Sequence, residues 1–226
     1  MSGPGCKSLP GHNFAAADRS LLEKLNTPAG SGLPKRQAVT LDCEMAGIAG
    51  DIGELVLLSV ADYMTGETLI NTLVRPTEKI VNWRTKFSGV TAKAMADAIA
   101  QGDYLDGWKG ARAELWKYID ANTVLIGHSL HNDLDILRVI HTRVVDSAIL
   151  AKNAVGTNRQ WALKTLCQDL MGIDIQSNGR KGHDCLEDAL AAREVVLWCI
   201  QNPQSLSAWA KKAREQEERA QRLQGL

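Results

Sequence analysis

The chain has 226 residues, enough for one domain with a sizeable core. Hydrophobic residues make up 45% and charged residues 23%, which excludes a disordered polymer. Basic and acidic side chains number 26 each, so the formal net charge is zero. That balance excludes a protein that coats long duplexes by bulk electrostatics, and leaves room for a small pocket gripping a strand end. The five cysteines, at 6, 43, 167, 185 and 199, include no Cys-x-x-Cys pair. They read as reduced thiols and not as a disulfide frame or a zinc site. The first residues lack a basic start followed by an apolar run, and no stretch approaches the ~18 apolar residues of a membrane helix. A soluble, intracellular protein with no membrane contact is expected.

Residues 1–35, rich in Gly, Pro, Ala and Ser, read as a flexible N-terminal arm with a short helix over Asp18–Leu25. Residues 36–201 read as one domain. Its first part is a meander of three strands: the run from Ala38 to Met45, Glu54–Asp62, and Thr68–Val74, with Met64-Thr65-Gly66-Glu67 as the turn between the last two. Pro76–Thr91 is a long connection whose segment Asn82–Gly89 mixes Trp83 and Phe87 with Arg84 and Lys86. Such a loop either contacts nucleic acid by stacking and phosphate pairing or plugs its aromatics into the core. Helices are expected over Thr91–Ala100 and Gly110–Asn122, then a strand Thr123–Gly127, a helix Leu130–Ile140 and a short strand Arg143–Ser147. Strands alternating with helices here imply parallel pairing, so the fold class is α/β: a mixed sheet flanked by helices.

Later in the chain, Ala162–Met171 reads as an amphipathic helix ended by Gly172. A basic loop, Asn178–Gly182, leads to a helix that runs to about Ile200. Asp184 and Glu187 have capping-box spacing, with Asp184 as the N-cap. Asp188 then lies in a rigid first turn, with His183 on a hinge just outside it. The remainder, residues 202–226, is a polar helix with charges at helical spacing, which usually marks a solvated face.

Chemistry gathers around the first strand. Its side chains alternate, so Val39, Leu41 and Cys43 share one face, and Thr40, Asp42 and Glu44 the other. Two carboxylates side by side repel unless a cation sits between them. A solvated strand edge would carry the same pair, but Asp is depleted in strands. Asp133, at a strand-to-helix transition, and Asp188 add two acids that a mixed sheet can bring to the same place. Oxygen-rich clusters of this kind suit Mg²⁺ or Mn²⁺. His183, five residues before Asp188, supplies a base with an ordinary pKa near operating pH. Singly, Asp133 is also a plausible helix cap and Asp188 a plausible partner of the helix dipole. Asp146 reads as structural, and His128, His131 and His141 as satisfying local hydrogen bonds.

Leu41-Asp42-Cys43-Glu44-Met45, Gly127 to Asp133, and His183 to Asp188 occur in that order, with Arg84-Thr85 and Ser88-Gly89 between the first two. In these motifs the chain resembles the DEDDh 3′→5′ exonucleases of ribonuclease H-like fold. The nearest branch is that of the eukaryotic RNA exonucleases with a Leu-Asp-Cys-Glu-Met motif. The resemblance runs from about Ala38 to Ile200. It implies two divalent cations, Mg or Mn, held by Asp42, Glu44, Asp133 and Asp188, with Asp42 bridging and Asp133 supporting the second ion. It implies His183 as general base, Met45 packing against the terminal nucleotide, and Arg84 as a lesser substrate contact. The implied activity is hydrolysis from the 3′ end of single-stranded nucleic acid, RNA favoured, releasing nucleoside 5′-monophosphates. The nucleus is slightly favoured over the cytoplasm. Trp83 stands where the family often has Tyr, and Asp184-Cys185 replace small polar residues. Those departures bear on substrate preference and on the histidine loop, not on the ligands. Three other readings stay open: a DNA or dual exonuclease, a nucleic-acid-binding module with a silent site, and a subunit whose C-terminal helix docks a partner.

Overall fold

The computed structural model describes residues 23–30, 34–177, 179 and 182–223. Strands β2 (Ala38–Gly47), β3 (Gly53–Asp62) and β4 (Thr68–Arg75) form the expected antiparallel meander. The β3–β4 turn is tied by Asp62, whose Oδ1 accepts from the Met64 and Thr65 N–H groups, while Gly66 takes φ 76. Three short strands extend the sheet: β5 (Leu105–Asp106), β6 (Val124–Gly127) and β8 (Val144–Asp146). The strand order is β5-β4-β3-β2-β6-β8. β6 pairs parallel with β2, and β8 parallel with β6, as alternation of strand and helix predicts. A separate two-stranded parallel pair joins β1 (Leu25–Asn26) to β7 (Val139–Ile140).

The helices are α1 (Thr85–Ser88), α2 (Ala92–Gln101), α3 (Gly107–Leu115), α4 (His131–Ile136), α5 (Ser147–Val155), α6 (Leu163–Met171), α7 (Cys185–Gln201) and α8 (Pro203–Leu223). Val39, Leu41 and Cys43 of β2 pack with Trp108, Ala111 and Leu115 of α3 and with Leu130 and Leu137 around α4. The opposite face is covered by α7, where the Thr40 hydroxyl donates to the Ala189 carbonyl (2.7 Å) and Ala38 packs with Val196. The two-fold alternation read from the sequence therefore survives, with both faces buried.

Several boundaries differ from the sequence reading. The helix expected over Leu130–Ile140 stops at Ile136. Arg138 is left-handed (φ 55), and the chain leaves as β7 to meet β1. That pairing places Leu25 in a strand and not at the end of a helix; residues 18–22 of that expected helix lie outside the described residues. The helix expected over Gly110–Asn122 begins at Gly107 and ends at Leu115, followed by turns. α5 was not anticipated. Its cap is Asp146, whose carboxylate accepts from the Ala148 and Ile149 N–H groups and also from those of Ser129 and Leu130. The polar tail helix α8 has a buried side after all. Ala210 and Ala213 pack into a cluster with Trp161, Leu166 and Val195, and Trp209 meets Trp161 edge-on at 5.0 Å.

Asp146 thus holds the start of α5 and the loop after β6 together. Replacing Asp146 by Ala is expected to cost about 2–4 kcal/mol of stability by removing a cap and orphaning buried N–H donors. Urea unfolding of the variant measures it.

Candidate active site

β2 carries the centre of the site. Its pairing with β6 covers only Ala38–Thr40, so the strand continues past its neighbour and the backbone around Asp42–Glu44 is free on that edge. Asp133, in the first turn of α4, uses this gap, and its Oδ1 accepts the Cys43 N–H at 2.8 Å. α4 gets close enough because residue 127 is glycine; a Cβ there would meet Leu130 Cδ1 at 2.7 Å and the Leu41 carbonyl at 3.0 Å. On the other face of β2, α7 brings its N-terminal turn over the strand. Asp184 caps it as the spacing predicted, accepting from the Leu186 and Glu187 N–H groups. The reciprocal half of a capping box is not formed, because Glu187 Oε2 accepts the Gln176 N–H instead (2.9 Å).

The result brings ligand atoms of Glu44, His183 and Asp188 within 4.8 Å of one another, and those of Asp42, Glu44 and Cys185 likewise. Asp133 stands at the other side of Asp42, buried and anchored to the Cys43 amide. His183 Nδ1 lies 3.3 Å from Asp188 Oδ2. Among the described residues no cationic side chain pairs with Asp42, Glu44 or Asp133. The electrostatics show the consequence. Burial, then the neighbouring Asp188, pushes Asp42 up to about 7. Burial, then Asp42 and Asp188, pushes Glu44 up to about 9. Burial also raises Asp133 and Asp188, the latter against opposing hydrogen bonds from Gln176 and the nearby His183. Carboxylates pushed toward their neutral forms, three of them with no cationic partner among the described residues, fit divalent cations with oxygen ligands.

Other expected site residues fall at the margin. Met45 is half-buried, packs on the main core, and follows a register shift between Glu44 and Met45. Arg84 lies outside the acid cluster in a left-handed conformation (φ 48), and its guanidinium is engaged by Asp51, including the Asp51 carbonyl at 2.9 Å. In the aromatic loop, Trp83 packs against Ala46, Val56, Val90 and Met95, while Phe87 is 65% exposed. His128 and His141 make local hydrogen bonds, to Ser147 Oγ and to Thr27 Oγ1 and the Thr123 carbonyl. Arg180 and Lys181 of the basic loop lie outside the described residues.

Two contributors have no sequence signal. Gln176 donates its Nε2 to both oxygens of Asp188 (3.0 and 3.1 Å), from a loop position with φ 56. Cys185 donates its thiol to the Asp42 carbonyl at 3.2 Å. A glutamine twelve residues from its partner and a cysteine at a helix start announce neither contact.

A sequence model of the Exonuclease family (RNase_T) matches residues 39–196, which contain Asp42, Glu44, Asp133, His183 and Asp188. The chain belongs to the exonuclease family. It is 32% identical to RNA exonuclease 3 of Candida albicans over 168 residues, 74% of this chain and 39% of that protein. It is 36% identical to RNA exonuclease 1 homolog of Homo sapiens over 160 residues, 71% of this chain and 12% of the human protein. The exonuclease chain thus spans well under half the length of these curated relatives. Its fold is also that of the Saccharomyces cerevisiae Pan2 pseudoubiquitin hydrolase-RNA exonuclease module solved with AAGGAA RNA. The TM-score is 0.67 at 18% identity, over 90% of this chain and 35% of that one.

The raised carboxylates set a pH dependence. Asp42 and Glu44 keep their protons in the folded state, whereas the unfolded chain releases them near 3.8 and 4.5. The folded state then binds more protons from about pH 4 to about pH 9, so stability of the cation-free protein falls as pH rises through that window. Thermal unfolding in EDTA is expected to show a lower Tm at about pH 8 than at about pH 6, with Mn²⁺ restoring more at the higher pH. A Glu44→Gln variant is expected to flatten the EDTA profile.

Proposed function

We propose that this domain is a metal-dependent 3′→5′ exonuclease that shortens single-stranded RNA and releases nucleoside 5′-monophosphates. The observation that carries this reading is the pair of side-chain groups that share Glu44, one with Asp42 and Cys185 and the other with His183 and Asp188, while Asp133 is bound to the Cys43 amide between Asp42 and Glu44 in the chain. The family match and the names of the relatives support a nuclease and favour RNA over DNA.

Asp42, Glu44 and Asp188 would hold one Mg²⁺ or Mn²⁺, and Asp42 with Asp133 the second. Bound there, such ions supply a lowered water pKa and stabilisation of the leaving oxygen in an in-line displacement. Asp42 and Glu44 reach the site from a strand buried on both faces, so their carboxylates are fixed before substrate arrives. Asp188 is held twice over, by the first turn of α7 and by the Gln176 amide. His183 Nδ1 lies 3.3 Å from Asp188 Oδ2, and an imidazole protonated there would keep the lone pair of Nε2 for a proton from the attacking water. Met45, at the register shift beyond Glu44, would pack against the terminal nucleotide, and Arg84 would reach substrate only by leaving Asp51.

The test is a time course with 5′-labelled single-stranded RNA and matched DNA, in Mg²⁺, in Mn²⁺ and in EDTA. A ladder shortening from the 3′ end, dependent on metal and faster on RNA, is expected. Asp42→Ala is expected to stay soluble and lose hydrolysis; a retained rate overturns the ligand assignment. His183→Ala is expected to lower kcat by roughly 10²–10⁴-fold with little change in KM. Intact substrate in every lane from folded, metal-loaded protein would favour a binding module.

A further inference from the structure

His183 lies just outside α7, before the Asp184 cap, so neither helix nor strand of its own aims the side chain. The structure supplies a seat. α1 is a single turn that stands as a rigid block: Gly89 N–H closes on the Thr85 carbonyl, the Thr85 hydroxyl donates to the Val90 carbonyl at 2.8 Å, and the Ser88 hydroxyl to the Trp83 carbonyl at 2.8 Å. Ser88 and Val90 are buried, and Trp83 and Val90 root the block in the core on the sheet. The histidine segment is docked on it at three points. The His183 N–H donates to the Phe87 carbonyl at 2.8 Å. Gly182, buried with φ 86, lies so close that a Cβ would stand 2.3 Å from the Thr85 carbonyl oxygen and 2.4 Å from the Gly89 nitrogen. The Phe87 ring meets the His183 imidazole edge-on, with centroids 6.4 Å apart at 76°.

The Phe87 ring does no visible packing work beneath itself. It is 65% exposed, and Trp83 and Val90 already fill the core under the turn. An exposed phenyl ring is ordinary on a surface, but this one borders the imidazole that Asp188 holds from another direction.

We propose that Phe87 and Gly182 are positioning residues for His183. The Phe87 carbonyl fixes the backbone, the Phe87 ring limits rotation of the imidazole, and Gly182 permits the close approach that both require. The proposal rests on the reading of His183 as general base.

Two variants of the full chain test it. In Gly182→Ala the new methyl meets backbone atoms that cannot give way, so the histidine segment must lift off α1. We expect kcat on single-stranded RNA to fall tenfold or more, with KM and the Mn²⁺ affinity measured calorimetrically within about twofold of wild type. Phe87→Leu removes the ring from an exposed position and leaves the fold intact. It is expected to shift the His183 imidazole resonance in histidine-labelled protein by loss of the ring current and to lower kcat severalfold, while Phe87→Tyr restores both. A folded Gly182→Ala protein with wild-type kcat overturns the proposal, as does a His183 resonance unmoved by Phe87→Leu. Because the resonance is read without turnover, a wild-type protein that hydrolyses no RNA would refute the function and still decide the seat.

Discussion

The site depends on the repulsion built into β2. Asp42 and Glu44 share one face of a strand whose other face is sealed against α3, and α7 covers them. Pairing on both edges over Ala38–Thr40, and on the β3 side beyond, fixes the backbone from which both acids project. Asp188 and Asp133 then approach from opposite directions, which adds negative charge to a place that already resists it. The fold tolerates this because Gln176, the Cys43 amide and His183 offset part of the cost at Asp188 and Asp133.

This arrangement explains the division of labour among the elements. Acids sit on strands and first turns, where position is dictated by backbone pairing and caps. The acids are held from below, by β2, by α4 pressed close at Gly127, and by α7 through its Asp184 cap. His183 alone comes from an irregular segment, and its support comes from α1, about a hundred residues earlier in the chain. The same turn also links to the end of β2, since Gly47 pairs with Asn82 and Arg84 reaches Asp51. One turn therefore touches both the end of the acid strand and His183.

The family match and the relatives named RNA exonuclease place this chain among exonucleases. Cys185 directs its thiol at the Asp42 carbonyl, and Gln176 reaches Asp188 from a left-handed loop position.

The sequence by itself determined the meander, the parallel second half, the cap at Asp184 and which acids and histidine the fold draws toward β2. Those features are local: strand alternation, capping chemistry and ordered motifs are each written within a few consecutive residues. Tertiary structure alone decided what joins them. The early end of α4 follows from β1 pairing with β7, more than a hundred residues away in the chain. The buried side of α8 follows from Trp161 and its neighbours. The hold of Gln176 on Asp188 and the seating of His183 on Phe87 are contacts between segments whose approach no local pattern encodes. Such contacts arise only once the sheet has fixed the distance between its two faces and the helices that cover them.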